Sequence, residues 1–131
     1  MVWMRREFNA KCVCVTETDS WHLFFKPPAS RYYWSSNPTP SPRHNHSMIQ
    51  YNEFVYVYGG MNNLDEKSDL WKYNFEARKW ANVKVKNGPG ALRGHVACKG
   101  LGNMFIIGGE RDGKFIDEVW RFCFGKGQSR R

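Results

Sequence analysis

The chain has 131 residues, a net charge of +8, 16% aromatic residues and a mean hydropathy of −0.66. That length allows one modest core, and a chain this aromatic and this moderately charged does not have the composition of a disordered one. No apolar run reaches the roughly 18 residues of a membrane helix, and the opening Met1-Val2-Trp3-Met4-Arg5-Arg6 lacks the apolar stretch and small-residue cleavage site of a secretion signal.

The N-terminal 19 residues carry the weakest pattern. Val2 to Phe8 and Lys11 to Val15 read as strands, and Thr16 to Asp19 as a turn. Cys12 and Cys14 fall on one face of such a strand, and Cys-Val-Cys is too close a spacing for zinc. All four cysteines, Cys12, Cys14, Cys98 and Cys123, are expected to be reduced and mostly packed. Ser20 to Phe25 forms a better strand, stopped by Pro27-Pro28, and Arg31 to Trp34 another. Asn37-Pro38-Thr39-Pro40-Ser41-Pro42 is a surface connector.

A complete unit of four strands follows over residues 43–85. Its strands are His46 to Tyr51, Phe54 to Tyr58, Ser68 to Phe75 and Lys79 to Val85, with a polar loop at Met61 to Lys67. The aromatic and β-branched residues of Phe54 to Tyr58 suit a half-buried pleated surface. Gly59-Gly60 closes that strand with backbone angles a side chain would forbid. After Asn87-Gly88-Pro89-Gly90, residues 91–124 give strands at His95 to Lys99, Met104 to Ile107 and Ile116 to Phe124, with a loop at Glu110 to Lys114 and no counterpart of Trp80. Residues 125–131 form a basic tail.

The two units hold a constant offset. Gly59 and Gly108, Gly60 and Gly109, Asp69 and Glu118, Trp71 and Trp120, Tyr73 and Phe122, and His46 and His95 are each 49 residues apart. Trp21 lies 50 residues before Trp71, so residues 20–42 read as a worn copy of the same unit.

These landmarks resemble the kelch repeat: Gly-Gly after an aromatic strand, then Tyr73 and Trp80 in the pattern of that family, with an Arg43-His44-Asn45-His46 opening. Arg93-Gly94-His95 looks like a version of the opening one residue shorter. The resemblance implies an all-β fold of four-stranded antiparallel meanders arranged as β-propeller blades. It implies that Trp71, Tyr73, Trp80, Trp120 and Phe122 pack between blades. A closed propeller needs about four or more blades, and the landmarks amount to about two to three. An incomplete propeller is therefore expected. It is read first as a fragment of a longer kelch protein, with self-assembly into a ring or an open stack as the alternatives.

In an antiparallel blade the start of the first strand and the loop after the second lie at one end. The resemblance implies that this end recognises a protein partner. Arg43, His44, Asn62, Asn63, Arg93, Arg111 and Asp112 are the candidate contacts, the arginines suiting an acidic partner through bidentate pairing. Arg43 and Arg93 recur at the start of the two units, so pairing with an acid such as Glu53 or Asp69 to hold the blade is the competing role. No catalytic motif is present, and no cofactor or metal is expected. The dispersed basic residues make a nucleic-acid partner the alternative, and a non-functional remnant a further one. The default location is the cytoplasm, with the nucleus open.

Overall fold

The computed structural model describes residues 38–125. The strands expected over Val2 to Trp34, the cysteines Cys12 and Cys14 and the basic tail lie outside the described residues.

The described residues form strands, turns and connectors, with no helix among them. In chain order the strands are β1 Ser47–Tyr51, β2 Phe54–Tyr58, β3 Met61–Asn62, β4 Asp65–Glu66, β5 Leu70–Asn74 and β6 Lys79–Val83, then β7 Val96–Gly100, β8 Asn103–Ile107, β9 Glu110–Arg111, β10 Lys114–Phe115 and β11 Val119–Cys123. The first sheet has the order β1-β2-β5-β6 and the second the order β7-β8-β11, every pairing antiparallel. Each is a meander of neighbouring strands, so pairing stays local in sequence.

Alternation along the strands gives each sheet two apolar faces. In the first sheet, Ile49, Tyr51, Phe54, Tyr56, Tyr58, Leu70 and Val83 form the face that meets the second sheet. Val55, Val57, Trp71, Tyr73 and Trp80 point the other way, and Trp71 and Tyr73 are buried there. The second sheet presents Ala97, Met104, Ile106 and Phe122 to the first. Its opposite face carries Val96, Cys98, Phe105, Ile107, Val119 and Cys123.

Two side chains from outside the strands are driven between the sheets. Leu92 is 1% exposed and belongs to the same buried cluster as Tyr58, Leu70 and Met104. Phe124, just past β11, stacks on Tyr51 with ring centroids 4.0 Å apart and tilts against Tyr56 at 4.8 Å. One wedge enters at each end of the interface.

The connector between the sheets has two halves. Lys84 to Gly88 is exposed. From Pro89 onward the backbone is tied down. Arg111 donates to the Pro89 and Ala91 carbonyls, and the Tyr58 hydroxyl donates to the Gly90 carbonyl at 2.6 Å. Burial raises the Tyr58 pKa to about 12, so the phenol stays a neutral donor.

Two expectations need correction. The loops at Met61 to Lys67 and Glu110 to Lys114 are hairpins, β3–β4 and β9–β10. Their central residues, Asn63 and Leu64 in one and Asp112 and Gly113 in the other, all have φ between 49° and 73°. Positive φ at both central positions is the two-residue turn whose twist matches that of the flanking strands. Cys98 and Cys123 are exposed free thiols, not packed ones, because both lie on the outward face of the second sheet.

Candidate functional site

The chain leaves β2 through Gly59 and Gly60, at φ 61° and 88°. A Cβ on Gly60 would stand 2.6 Å from the His44 carbonyl oxygen, so only glycine lets the backbones approach. That approach produces a short ladder. His44 and Met61 exchange both backbone bonds, at 3.0 and 2.9 Å, which adds a third backbone segment to the β3–β4 hairpin. The second unit repeats the device, with Arg93 and Glu110 exchanging bonds of 3.1 and 2.9 Å beside β9–β10.

These bridges set the alignment of the two units. Arg93 stands where His44 stands, and the counterpart of Arg43 is Leu92. The two arginines do not occupy equivalent backbone positions, contrary to the expectation from their shared place at the start of each unit.

Their side chains are also occupied. Arg43 clamps Asp69 bidentately, Nη1 to Oδ1 at 2.5 Å and Nη2 to Oδ2 at 3.0 Å. It donates further to the carbonyls of Gly59 and Ser41, and its side chain is 5% exposed. Burial alone would raise the Asp69 carboxyl, but hydrogen bonds from Arg43 and from the Trp71 indole, together with the Arg43 charge, hold it below its ordinary 3.8. Arg93 pairs with Glu110, lies 3.2 Å from Glu66 Oε1 and reaches the Met61 sulfur. Arg111 donates into the connector and lies 3.6 Å from Glu118.

The acid-apolar-Trp landmark has a physical basis in these contacts. The acid two residues before the tryptophan accepts the indole N–H in both units, Trp71 to Asp69 at 2.6 Å and Trp120 to Glu118 at 2.7 Å.

All the candidate contacts lie at the hairpin end. His44 and Asn63 are exposed there, Asn62 is half-buried, and the Asp112 backbone N–H donates to Glu66 at 3.1 Å, joining the two hairpins. The sequence reading missed Asn45, Glu66, Glu110 and Phe115. Phe115 is 92% exposed. With Asn45, Arg93, Gly94, Gly109 and Glu110 it lines a cleft of about 240 Å³ between the units. Asp112-Gly113 is a strong hairpin signal that pointed to Phe115, since the first two residues past such a turn, Lys114 and Phe115, sit on the hairpin ladder opposite Arg111 and Glu110. A wider groove of about 400 Å³ lies at the opposite end, beside Tyr51, Lys99 and Leu101. The charged network that holds a surface in shape belongs to the hairpin end.

The recurring histidines differ. His46 is exposed. His95 is buried between the sheets, with its Nε2 2.7 Å from the Ser47 hydroxyl and its ring edge-on to Tyr58. Burial lowers the His95 pKa below 6.5, the Tyr58 backbone opposes that fall, and the His46 charge adds to it. Among the described residues, no three His, Cys, Asp or Glu side chains come together in a way that would hold a metal, and no helix is long and apolar enough to cross a membrane.

Residues 5–128 match the family described as the KLHDC2/KLHL20/DRC7 Kelch-repeats domain. The chain is 36% identical over 73 residues to Multiple epidermal growth factor-like domains protein 8 of Homo sapiens, covering 54% of this chain and 3% of that protein. It is 29% identical over 90 residues to the Dynein alpha chain, flagellar outer arm, of Chlamydomonas reinhardtii, covering 66% and 2%. It is 31% identical over 84 residues to Kelch domain-containing protein 10 of Xenopus laevis, covering 58% and 20%. The chain thus spans a small part of the length of each. Kelch-repeat domains are typically non-enzymatic and generally mediate contacts between proteins. With the Gly-Gly turns, the acid-Trp pairs and the meander sheets repeating at a fixed offset, the chain belongs to the kelch-repeat family, and its described part is an incomplete set of propeller blades.

Proposed function

We propose that the chain is a protein-binding module, part of a longer kelch propeller, whose contact surface is the hairpin end. The observation that carries this reading is the pair of hairpins locked side by side through Glu66, with Phe115 fully exposed above the cleft. A large aromatic ring held in water on an otherwise charged surface suits a partner side chain. His44, Asn62, Asn63 and Asp112 supply polar contacts around it.

Arg43, Arg93 and Arg111 act in this reading as the braces of that surface. Their donors are directed at Asp69, Glu110, Glu66 and the connector carbonyls. The reason for expecting an acidic partner was free guanidinium forks, so the expectation shifts to a partner offering an apolar side chain with flanking polar groups. The same pairing lowers the support for nucleic acid, whose binding depends on basic groups free to meet phosphates.

The test is site-specific photocrosslinking. A benzophenone amino acid is placed at Phe115 in one sample and at Leu101, at the opposite end, in another. Crosslinks to one protein species from the Phe115 position, lost when Asn62 and Asn63 are both changed to Asp, support the reading. Crosslinks from the Leu101 position alone move the contact surface to the opposite end and refute it.

A further inference from the structure

The stretch that leads into the first unit carries a chemistry the hairpin end does not use. It reads Pro38-Thr39-Pro40-Ser41-Pro42, and residues 38–43 form no strand or turn. Proline fixes its own φ and pushes the residue before it to extended angles. Prolines at alternate positions therefore hold both hydroxyl residues, Thr39 and Ser41, in an extended run. Among the described residues, backbone-to-backbone hydrogen bonding begins only at His44. Ser41 and Pro42 are exposed, whereas Thr39 and Pro40 are half-buried.

Ser41-Pro42 is the one Ser-Pro pair of the chain. An exposed hydroxyl on an extended run, with proline after it, is the form of substrate that a proline-directed serine/threonine kinase takes into its cleft. Pro42 brings no N–H that would need a partner there. Ser47 shows the contrast, being buried with its hydroxyl 2.7 Å from His95 Nε2.

Ser41 is also gripped by an arginine. Arg43 Nη2 donates to the Ser41 hydroxyl oxygen at 3.3 Å, and Nε donates to the Ser41 carbonyl at 3.1 Å. The other donors go to the first unit. Nη1 reaches the Gly59 carbonyl at 3.2 Å and Asp69 at 2.5 Å, and Nη2 reaches Asp69 at 3.0 Å. All five guanidinium N–H groups are thus engaged, and one already points at the oxygen that would carry a phosphate. A phosphate there adds about 1.5 to 2 negative charges and three acceptor oxygens. Exchanging a neutral acceptor for an anionic one makes the bond from Arg43 roughly twice as strong.

We propose that Ser41 is a phosphorylation site for a proline-directed serine/threonine kinase, and that Arg43 holds the phosphate and so pins the connector to the first unit. The Ser41 oxygen forms the new bond to the γ-phosphorus of ATP. The bond from that phosphorus to the β–γ bridging oxygen breaks, its electron pair leaving with ADP, and the hydroxyl proton passes to the carboxylate base of the kinase and on to solvent. The phosphate and Asp69 then share Arg43 through separate N–H groups. This holds whichever end of the sheets meets a protein partner.

The full chain is incubated with ATP and, in parallel, a cyclin-dependent and a mitogen-activated protein kinase, and the modified residues are mapped by mass spectrometry. Phosphate is expected on Ser41, at a rate within about tenfold of that on a peptide of residues 37–44 and at least about tenfold above that on Thr39. Ser41→Ala is expected to abolish it, and Pro42→Ala to slow it at least about tenfold. The Arg43 side-chain N–H signals, followed by NMR, are expected to shift on phosphorylation and to exchange more slowly with water. Modification of the peptide but not of the folded chain shows that the fold withholds Ser41 and overturns the site. Phosphate from neither kinase, or on Thr39 in place of Ser41, overturns it as well. Phosphate on Ser41 with unmoved Arg43 signals overturns the pinning by Arg43.

Discussion

Leu92→Ala tests whether the connector is the keystone of the interface. The side chain is 1% exposed and packs with Tyr58, Leu70 and Met104. Buried Leu→Ala changes cost about 2–5 kcal/mol, the spread reflecting how far the site collapses. Little collapse is open here, because the walls are paired strands and the Leu92 backbone is bonded to Gly60 and Lys67. The expected loss is therefore in the upper half, about 3–5 kcal/mol, a large part of the roughly 5–15 kcal/mol that holds a domain together. Urea unfolding followed by tryptophan fluorescence measures it, with the slope reporting whether the exposed surface changed. Gly59→Ala pushes on the same segment from the other side, since its Cβ would stand 2.6 Å from the Leu92 oxygen. The two changes share one contact, so the double variant is expected to depart from additivity by about 0.5–3 kcal/mol. A loss below about 1 kcal/mol for Leu92→Ala at unchanged slope, or strict additivity, refutes the keystone argument.

Other outcomes follow from the same contacts. His95 is held neutral in the folded chain with its pKa below 6.5, so the unfolded chain takes up a proton that the folded one resists. Its contribution is complete above about pH 6.5 and is lost as pH falls through the folded value; His95→Gln is expected to flatten that part of a urea-midpoint profile between about pH 7.5 and about pH 5. The Asp69 carboxyl is held below 3.8, so its contribution is complete above that value and is lost as pH falls through the lower folded one. Asp69→Asn leaves the Arg43 guanidinium, whose side chain is 5% exposed, without its charge partner, and is expected to cost about 1–3 kcal/mol by denaturant unfolding, moderated by the partial exposure of Asp69. Phe115→Ser is expected to leave stability within about 0.5 kcal/mol, because the ring touches little; a larger drop would show that it packs against the chain and is not free for a partner.

Landmarks that act through local geometry were legible in the sequence. Phe54 to Tyr58 announces a strand with two apolar faces, and Gly59-Gly60 announces a turn that no side chain would permit. The pairing of Arg43 with Asp69 was legible as one option among several, since charge complementarity does not say which acid the fold brings near. The alignment of the openings was not. Matching Arg93 to Arg43 by residue type misplaces it by one, because what the fold repeats there is a backbone bridge, and a bridge accepts His44 or Arg93 alike. Burial was the least legible property. Trp71 and Trp120 carry the same indole-to-acid bond, yet Trp71 is buried and Trp120 is exposed. Local sequence sets the bond and leaves the burial open.

The two halves of the connector confer different freedoms on the length of the repeat. Lys84 to Gly88 runs exposed, and a few residues added there lengthen an open loop at a cost of only about 0.6 kcal/mol per doubling of its length. Between Pro89 and Leu92 each carbonyl accepts a bond from another part of the chain, so an added residue would put every later partner out of step. Insertions and deletions are thus absorbed just before the tie points. The distance between successive Gly-Gly landmarks can drift there through gene history while both sheets, their wedges and the hairpins keep their places.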